Sequence, residues 1–493
     1  MKHTDIIRKL NLEQKCALLS GETVFTTRAL PGKGIPSITL SDGPNGVRKQ
    51  AGAADHLGLN PSVPATCFPT SSATACSWDE KLGEAVGEAL GEEAAAQEVA
   101  VLLGPGLNIQ RSPLCGRDFE YFSEDPILAG KMAAAYVRGI QKKGIAACPK
   151  HFAVNSQELR RMASDSVVDE RTLRELYLTG FEIVVKEARP KTIMTSYNLI
   201  NGTYANENAH LLQDILRKDW GFDGAVVTDW GGSNDHALGV KNGSTLEMPC
   251  PGGDSIRELM KAVKDGKVTE ADLDARLDEL LELVLSTHAA VEKAPRTFDA
   301  AAHHALARRA AAESIVLLKN EDGILPLKAG EKLAVIGDFA QTPRYQGAGS
   351  SAVNALQVDA LLDCIKAGDS GIAFVGYASG FDRQGAADPK KQEEAVSLAK
   401  QADTVLLCLG LDELRESEGL DRADMALAEN QQQLLDAVAA VNPNVVVLLS
   451  AGAPVETPWV GRCKALVYGA LGGQAGAGAA ADILTGKLCP CGK

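Results

Sequence analysis

The chain has 493 residues, 45% of them apolar, and a formal net charge of −14. That length allows two or three domains with sizeable cores, and a mean hydropathy of −0.06 excludes a disordered majority. The acidic balance argues against nucleic acid or an anionic membrane as partner. No run approaches the ~18 apolar residues of a membrane span, and Met1 to Leu12 carries no secretory pattern. Eleven scattered cysteines, several inside apolar runs, fit a reducing, cytoplasmic setting.

Taken in order, Leu10 to Leu19 reads as a short helix. Ile38-Thr39-Leu40 is a strand candidate that ends at Ser41-Asp42. Trp78 to Ala100 is a long Ala- and Glu-rich helix, and Val101-Leu102-Leu103 is the next strand. A polar stretch with Arg117, Asp118 and Glu120 follows, then a helix over Pro126 to Lys142. The strand Gly144 to Cys148 runs into Lys150-His151-Phe152 and a polar loop with Asn155, Glu158 and Arg161. A helix over Asp169 to Lys186 leads to the strand Thr192 to Thr195, which ends at Tyr197. After a helix over Asn208 to Lys218 comes Ala225-Val226-Val227, apolar and β-branched, with Asp229-Trp230 at its tip. Ser244 to Met248 is a further short strand.

Strands alternating with helices over this length predict parallel βα units. In each unit the charged residues cluster just after the strand. In a (β/α)8-like barrel, that gathers them on the C-terminal face, where such barrels bind and react. Six or seven units are clear, so an irregular barrel is expected, with an open doubly wound sheet as the competitor. The pattern loosens near Thr287 to Asp299, a helix follows over about Ala301 to Ser314, and a second α/β series starts at Leu333 to Gly337. Its other strands fall at Ile372 to Val375, Thr404 to Leu409, Val445 to Leu449 and Ala465 to Tyr468. The division expected is a barrel over 1–290, a linker over 291–312 and an α/β sandwich domain over 313–493.

Two carboxylates stand out. Asp229, at the tip of a buried strand beside an aromatic plate, suits a nucleophile under a sugar ring; its bland alternative is a helix cap. Glu418 precedes Gly419 on a charged loop after the Thr404 strand. A general acid there, facing an Asp nucleophile, makes a two-carboxylate site, with Glu416 as its rival. Other templates fail: Gly104-Pro105-Gly106 lacks the third glycine of a dinucleotide fingerprint, and no two histidines have metal-ligand spacing.

Several motifs, in order, resemble glycoside hydrolase family 3 in its β-glucosidase branch. They are Ser41 to Arg48, Gly116 to Glu120, Lys150 to Asn155 with Arg161, Met194 to Asn198, Thr228-Asp229-Trp230, Leu317 to Asn320, Gly347 to Ser351 and Glu416 to Arg422. The resemblance spans nearly the whole chain. It implies a retaining, exo-acting β-glucosidase acting on a terminal β-linked glucose of a small β-glucoside or oligosaccharide, without metal or cofactor. Asp229 is then the nucleophile and Glu418 the acid/base, with carboxyl groups ~5–5.5 Å apart, as retaining chemistry needs. Asp42, Arg117, Lys150, His151 and Arg161 hold the sugar hydroxyls, Tyr197 sits near the nucleophile, and Trp230 shapes the aglycone side. A homo-oligomer is open.

Two departures from the family pattern stand at the C-terminus. The branch commonly continues into a fibronectin-like third domain, which is expected to be lacking from a sequence that stops at Gly492-Lys493, and Cys489 and Cys491 stand where Asn and Ser are usual. The alternatives are a β-xylosidase or broad-specificity β-glycosidase, and a catalytically dead carbohydrate-binding protein.

Overall fold

The computed structural model describes residues 1–52, 60–250, 252–368 and 370–493. The chain divides into two compact units. The first holds Met1–Ala65, Glu80–Arg111 and Tyr121–Phe298; the second holds Thr66–Asp79, Ser112–Glu120 and Asp299–Lys493. Two short segments from the N-terminal half therefore belong to the second unit. Backbone bonds explain their assignment: Arg422 N donates to Leu114 O at 2.8 Å, and Gln474 N donates to Cys67 O at 2.8 Å. The stretch read as a linker over 291–312 is largely helical. The helix Glu270–Lys293 runs into it from a Thr269 capping box, and the helix Ala300–Ser314 opens within it on an Asp299 cap. Only 294–299 lies between them.

The first unit is a ring of short strands, parallel except at the closure, where Thr26 bridges Thr39 in the antiparallel sense. Leu40–Asp42 pairs with Val101–Leu103, which pairs with Ala146–Ala147. Phe152 N donates to Met194 O at 2.7 Å, linking on to Thr192–Met194, and that strand pairs with Ala225–Val227. Val227 bridges Leu246, and Glu247 bridges Ser20. The segment from Leu19 then closes the ring, because Leu40 N donates to Phe25 O at 2.9 Å. Closure thus uses fewer than eight regular βα units among the described residues. The expected strand Ser244 to Met248 contributes only the bridges at Leu246 and Glu247.

Small residues set the spacing of the outer helices. Glu80–Ala96 and Pro126–Gln141 pack closely enough that a Cβ on Gly87 would lie 2.5 Å from Tyr136 O, and one on Gly139 2.2 Å from Glu84 O. Both distances are below contact, so the Gly- and Ala-rich faces are a packing requirement. The helix expected over Asp169 to Lys186 starts at an Asp169 cap but passes through a π-helical turn, Leu173–Tyr177, before Thr179–Ala188. No helix among the described residues is long and apolar enough to cross a membrane.

The second unit is a six-stranded sheet flanked by helices. Its order is Ala373–Ala378, Lys332–Ile336, Thr404–Gly410, Val445–Ser450, Ala465–Tyr468, then Val316–Asn320. All neighbours are parallel except the last, which is antiparallel at the edge. Thr404–Gly410 is buried at every position, as a central parallel strand requires. In chain order the parallel strands run 2-1-3-4-5, so the topology reverses between Lys332–Ile336 and Thr404–Gly410. Such open sheets bind ligands beyond the carboxyl ends of the strands at that reversal. The loop Leu411 to Arg422 departs from there.

Candidate functional site

In the first unit, the strand Ala225–Val227 is wholly buried and delivers Asp229 from its carboxyl end. Thr228 pins the turn: its hydroxyl donates to Met248 O at 3.1 Å and accepts from Met248 N at 2.9 Å. Asp229 is 8% exposed. Its Oδ1 accepts from Trp230 N at 2.8 Å, and its Oδ2 lies 3.7 Å from His151 Nε2. Gly231 follows at φ +79, the left-handed turn that a glycine makes without strain.

Trp230 is held at both ends. Its indole N–H donates to Val24 O at 2.7 Å, and its ring tilts against Phe25 with centroids 5.2 Å apart. Its carbonyl accepts from the Tyr197 hydroxyl at 2.9 Å. The Arg161 guanidinium lies 4.8 Å from the centre of the Tyr197 ring and donates to Glu158 Oε2 at 2.7 Å. The structure thus brings Asp229, His151, Trp230, Tyr197 and Arg161 into one connected set. Asn108 clamps the His151 backbone, accepting from its N at 2.8 Å and donating to its O at 2.9 Å. Lys150 is 2% exposed within the same run. Asp42 ends the strand Leu40–Asp42, and its carbonyl accepts from Arg48 N at 2.8 Å.

Arg117 and Glu418 lie in the second unit. Arg117, 1% exposed, places Nη2 2.7 Å from Glu120 Oε2 and Nη1 3.5 Å from Glu418 Oε1. Glu418 Oε2 accepts from Ser350 N at 2.8 Å, and Glu418 N donates to Ala348 O at 3.0 Å. Gly349, at φ +116, lets the backbone pass against this carboxylate's stem; a Cβ there would lie 2.4 Å from Glu418 Cβ. The 112–120 segment is bound to the same loop, since Gly116 N donates to Asp421 Oδ1 at 3.2 Å.

Glu416, the rival acid, is differently placed. It is fully buried, accepts from Gly452 N at 2.7 Å, and lies 3.5 Å from Arg344 Nη2. Burial pushes its carboxyl above the usual range, while Arg344 and the Gly452 N–H pull the other way. Glu418 keeps a side chain 16% exposed, so it retains access to solvent. Asp118, within electrostatic reach of Glu416 and Arg422, is also raised well above the ordinary value, by burial first, with Arg422 opposing.

Sequence patterning missed Tyr121 and Asn108 around His151, and Ser350 as a partner of Glu418. Ser350 lay inside a motif singled out for its resemblance; Tyr121 followed directly on another. Neither carried a local pattern that predicts its contact.

Family models of the glycosyl hydrolase family 3 N-terminal domain and C-terminal domain match residues 53–283 and 315–493. The crystal structure of a family 3 β-glucosidase from Bifidobacterium adolescentis superposes with a TM-score of 0.92 at 43% identity, over 98% of this chain and 69% of that one. The chain belongs to glycosyl hydrolase family 3. Family members with a described activity include the thermostable β-glucosidase B of Acetivibrio thermocellus, 47% identical over 99% of this chain. An exo-α-(1→6)-L-arabinopyranosidase of Bifidobacterium longum is 45% identical over the same share. The chain spans 65% of the length of each of these two relatives.

Proposed function

We propose that this family 3 chain is a retaining, exo-acting β-glucosidase that releases terminal glucose from small β-glucosides or oligosaccharides. The observation that carries the reading is Asp229: a carboxylate at the tip of a buried strand, one oxygen bonded to Trp230 N and the other facing His151. In the first step Asp229 attacks the anomeric carbon as the glycosidic C–O bond breaks, and Glu418 gives its proton to the departing oxygen. In the second step Glu418 takes a proton from water, which attacks the same carbon and frees Asp229. Asp42, Lys150, His151 and Arg161 grip the sugar hydroxyls with charged or polar partners, which bind more strongly than neutral ones. Tyr197 holds the Trp230 carbonyl, and Trp230 forms the aglycone side. Arg117, beside Glu418, favours the carboxylate that forms once the proton has left.

Turnover of nitrophenyl β-glucoside by the wild type, Asp229→Ala and Glu418→Ala tests this. The expected result is loss of several orders of magnitude in both variants, with azide rescuing Glu418→Ala to give β-glucosyl azide. A folded wild type that binds glucose by calorimetry but turns over no glycoside favours a carbohydrate-binding protein. The same reading places the protein in the cytoplasm, because Cys16, Cys148 and Cys408 are thiols buried among apolar side chains, as in reducing compartments.

A second reading rests on the arabinopyranosidase relative. α-L-Arabinopyranosides lack the exocyclic hydroxymethyl group of glucose, so faster release from nitrophenyl α-L-arabinopyranoside than from the β-glucoside replaces the glucosidase assignment with this one.

A further inference from the structure

A chain of buried polar groups runs away from Asp229 inside the first unit. His151 Nε2 faces Asp229 Oδ2 at 3.7 Å, and His151 Nδ1 lies 3.2 Å from the Tyr121 hydroxyl. That hydroxyl accepts from Asn155 Nδ2 at 3.0 Å. The same amide nitrogen donates to Glu158 Oε1 at 3.2 Å, and Glu158 Oε2 accepts from Arg161 at 2.7 Å. Tyr121, His151, Asn155 and Glu158 are each 2% exposed or less.

The chemistry of the ends gives this chain a direction. An ionised carboxylate only accepts hydrogen bonds. Glu158, paired with Arg161, therefore turns the NH2 side of Asn155 toward itself, and that same NH2 donates to the Tyr121 oxygen. At the other end, the Asp229 carboxylate favours a proton on His151 Nε2, since a lone pair there would face negative charge. A neutral imidazole with its proton on Nε2 offers Nδ1 as an acceptor, and the tyrosine hydroxyl is the donor that fits. Both ends impose the same orientation. The Tyr121 and His151 rings also meet edge to face, at 6.0 Å and 76°, which limits rotation of the imidazole.

We propose that Tyr121 is a positioning residue that holds His151 as its Nε2–H tautomer, with the N–H directed toward Asp229. The catalytic consequence rests on the reading of Asp229 as nucleophile. A fixed donor keeps one carboxylate oxygen oriented before attack, and it is available to a sugar hydroxyl once Asp229 is glycosylated. Asn155 acts through Tyr121, and so links the Arg161–Glu158 pair to the nucleophile.

The test is a long-range 15N–1H spectrum of the whole chain labelled at histidine, with the His151 signals identified by their loss in His151→Asn. The wild type is expected to show the Nε2-protonated pattern at neutral pH. Tyr121→Phe keeps the ring and removes the donor; His151 is then expected to mix tautomers and to titrate at higher pH, because Nδ1 is free to take a proton. Asn155→Ala is expected to move the signals the same way, less far. With loss of one hydrogen bond, kcat/KM for a β-glucoside falls about threefold to tenfold in Tyr121→Phe. An Nδ1-protonated or doubly protonated His151 in the wild type overturns the proposal, as does a Tyr121→Phe spectrum identical to the wild type. Because the spectrum needs no turnover, an inert enzyme with the expected tautomer counts against the glucosidase assignment alone.

Discussion

Arg117 Nη1 lies 3.5 Å from Glu418 Oε1 while the same guanidinium holds Glu120 at 2.7 Å. One buried cation thus serves a structural carboxylate and the acid/base candidate together. Removing one partner of a buried pair typically costs ~3–5 kcal/mol, because the other charge is left uncompensated. Arg117→Met is therefore expected to lower stability by that order through Glu120, which is fully buried. Urea unfolding checks this, and adding Glu120→Leu is expected to restore part of the loss. A single variant as stable as the wild type contradicts it.

Glu416 and Glu418 are two residues apart, and only Glu418 is assigned to the reaction. Burial is the largest influence on Glu416 and raises its carboxyl. A raised carboxyl contributes stability that is fully present below the unfolded value of 4.5 and is lost as pH rises through the folded value. Glu416→Gln removes that charge at constant shape. The variant keeps an acceptor for Gly452 N, and the loss of stability as pH rises above 4.5 is expected to flatten in urea unfolding. Activity is expected to stay within about tenfold of the wild type, with no rescue by azide, since the group reaches no substrate in this account. Azide rescue of Glu416→Gln would exchange the two roles.

Gly116 has no room for a side chain. A Cβ there would sit 1.6 Å from Leu420 O and 2.5 Å from Ser417 O, on both sides of Glu418 in sequence. Gly116→Ala must therefore displace the loop. Overpacking costs ~1–3 kcal/mol, but a misplacement of about 1 Å in a catalytic group can cost ~10²-fold in rate. The expected variant folds, with a modest drop in Tm and a loss of kcat on nitrophenyl β-glucoside near that size. Retained kcat would show that this contact does not set the position of Glu418.

His236 is buried in the first unit, 4.0 Å from Glu247, and burial lowers its pKa from 6.5, with Glu247, Asp235 and Glu258 opposing. The unfolded chain then binds a proton that the folded one refuses. Stability is fully present above 6.5 and falls as pH drops toward the lowered folded value. The slope approaches ~1.4 kcal/mol per pH unit. His236→Gln is expected to flatten the Tm profile in that range; an unchanged slope assigns the pH dependence elsewhere.

Part of the candidate site's placement was legible in the sequence because it is carried by local pattern. The apolar run Ala225 to Val227 announced a buried strand, and Asp229 could only emerge at its tip. The strand candidates of the second unit all form, because continuous Val and Leu runs have few other uses. Contacts set by the tertiary fold were not legible. Nothing near Leu114 or Cys67 marks those segments as belonging to the second unit; their backbone partners, Arg422 and Gln474, lie far along the chain. Tyr121 looks like a core aromatic until the fold sets its hydroxyl between His151 and Asn155. The helical end at 287–293 was masked by Lys293, Pro295 and Arg296 close after it, although the Thr269 capping box at the start of that helix is a local signal.

The most direct measurement is the mass of the peptide containing Thr228-Asp229-Trp230 after reaction with an activated 2-deoxy-2-fluoro-β-glucoside, whose glycosyl-enzyme hydrolyses slowly. One fluoroglucosyl group is expected on Asp229, and none in Asp229→Ala. A label on another carboxylate, or turnover of β-glucosides with no covalent adduct, would contradict it.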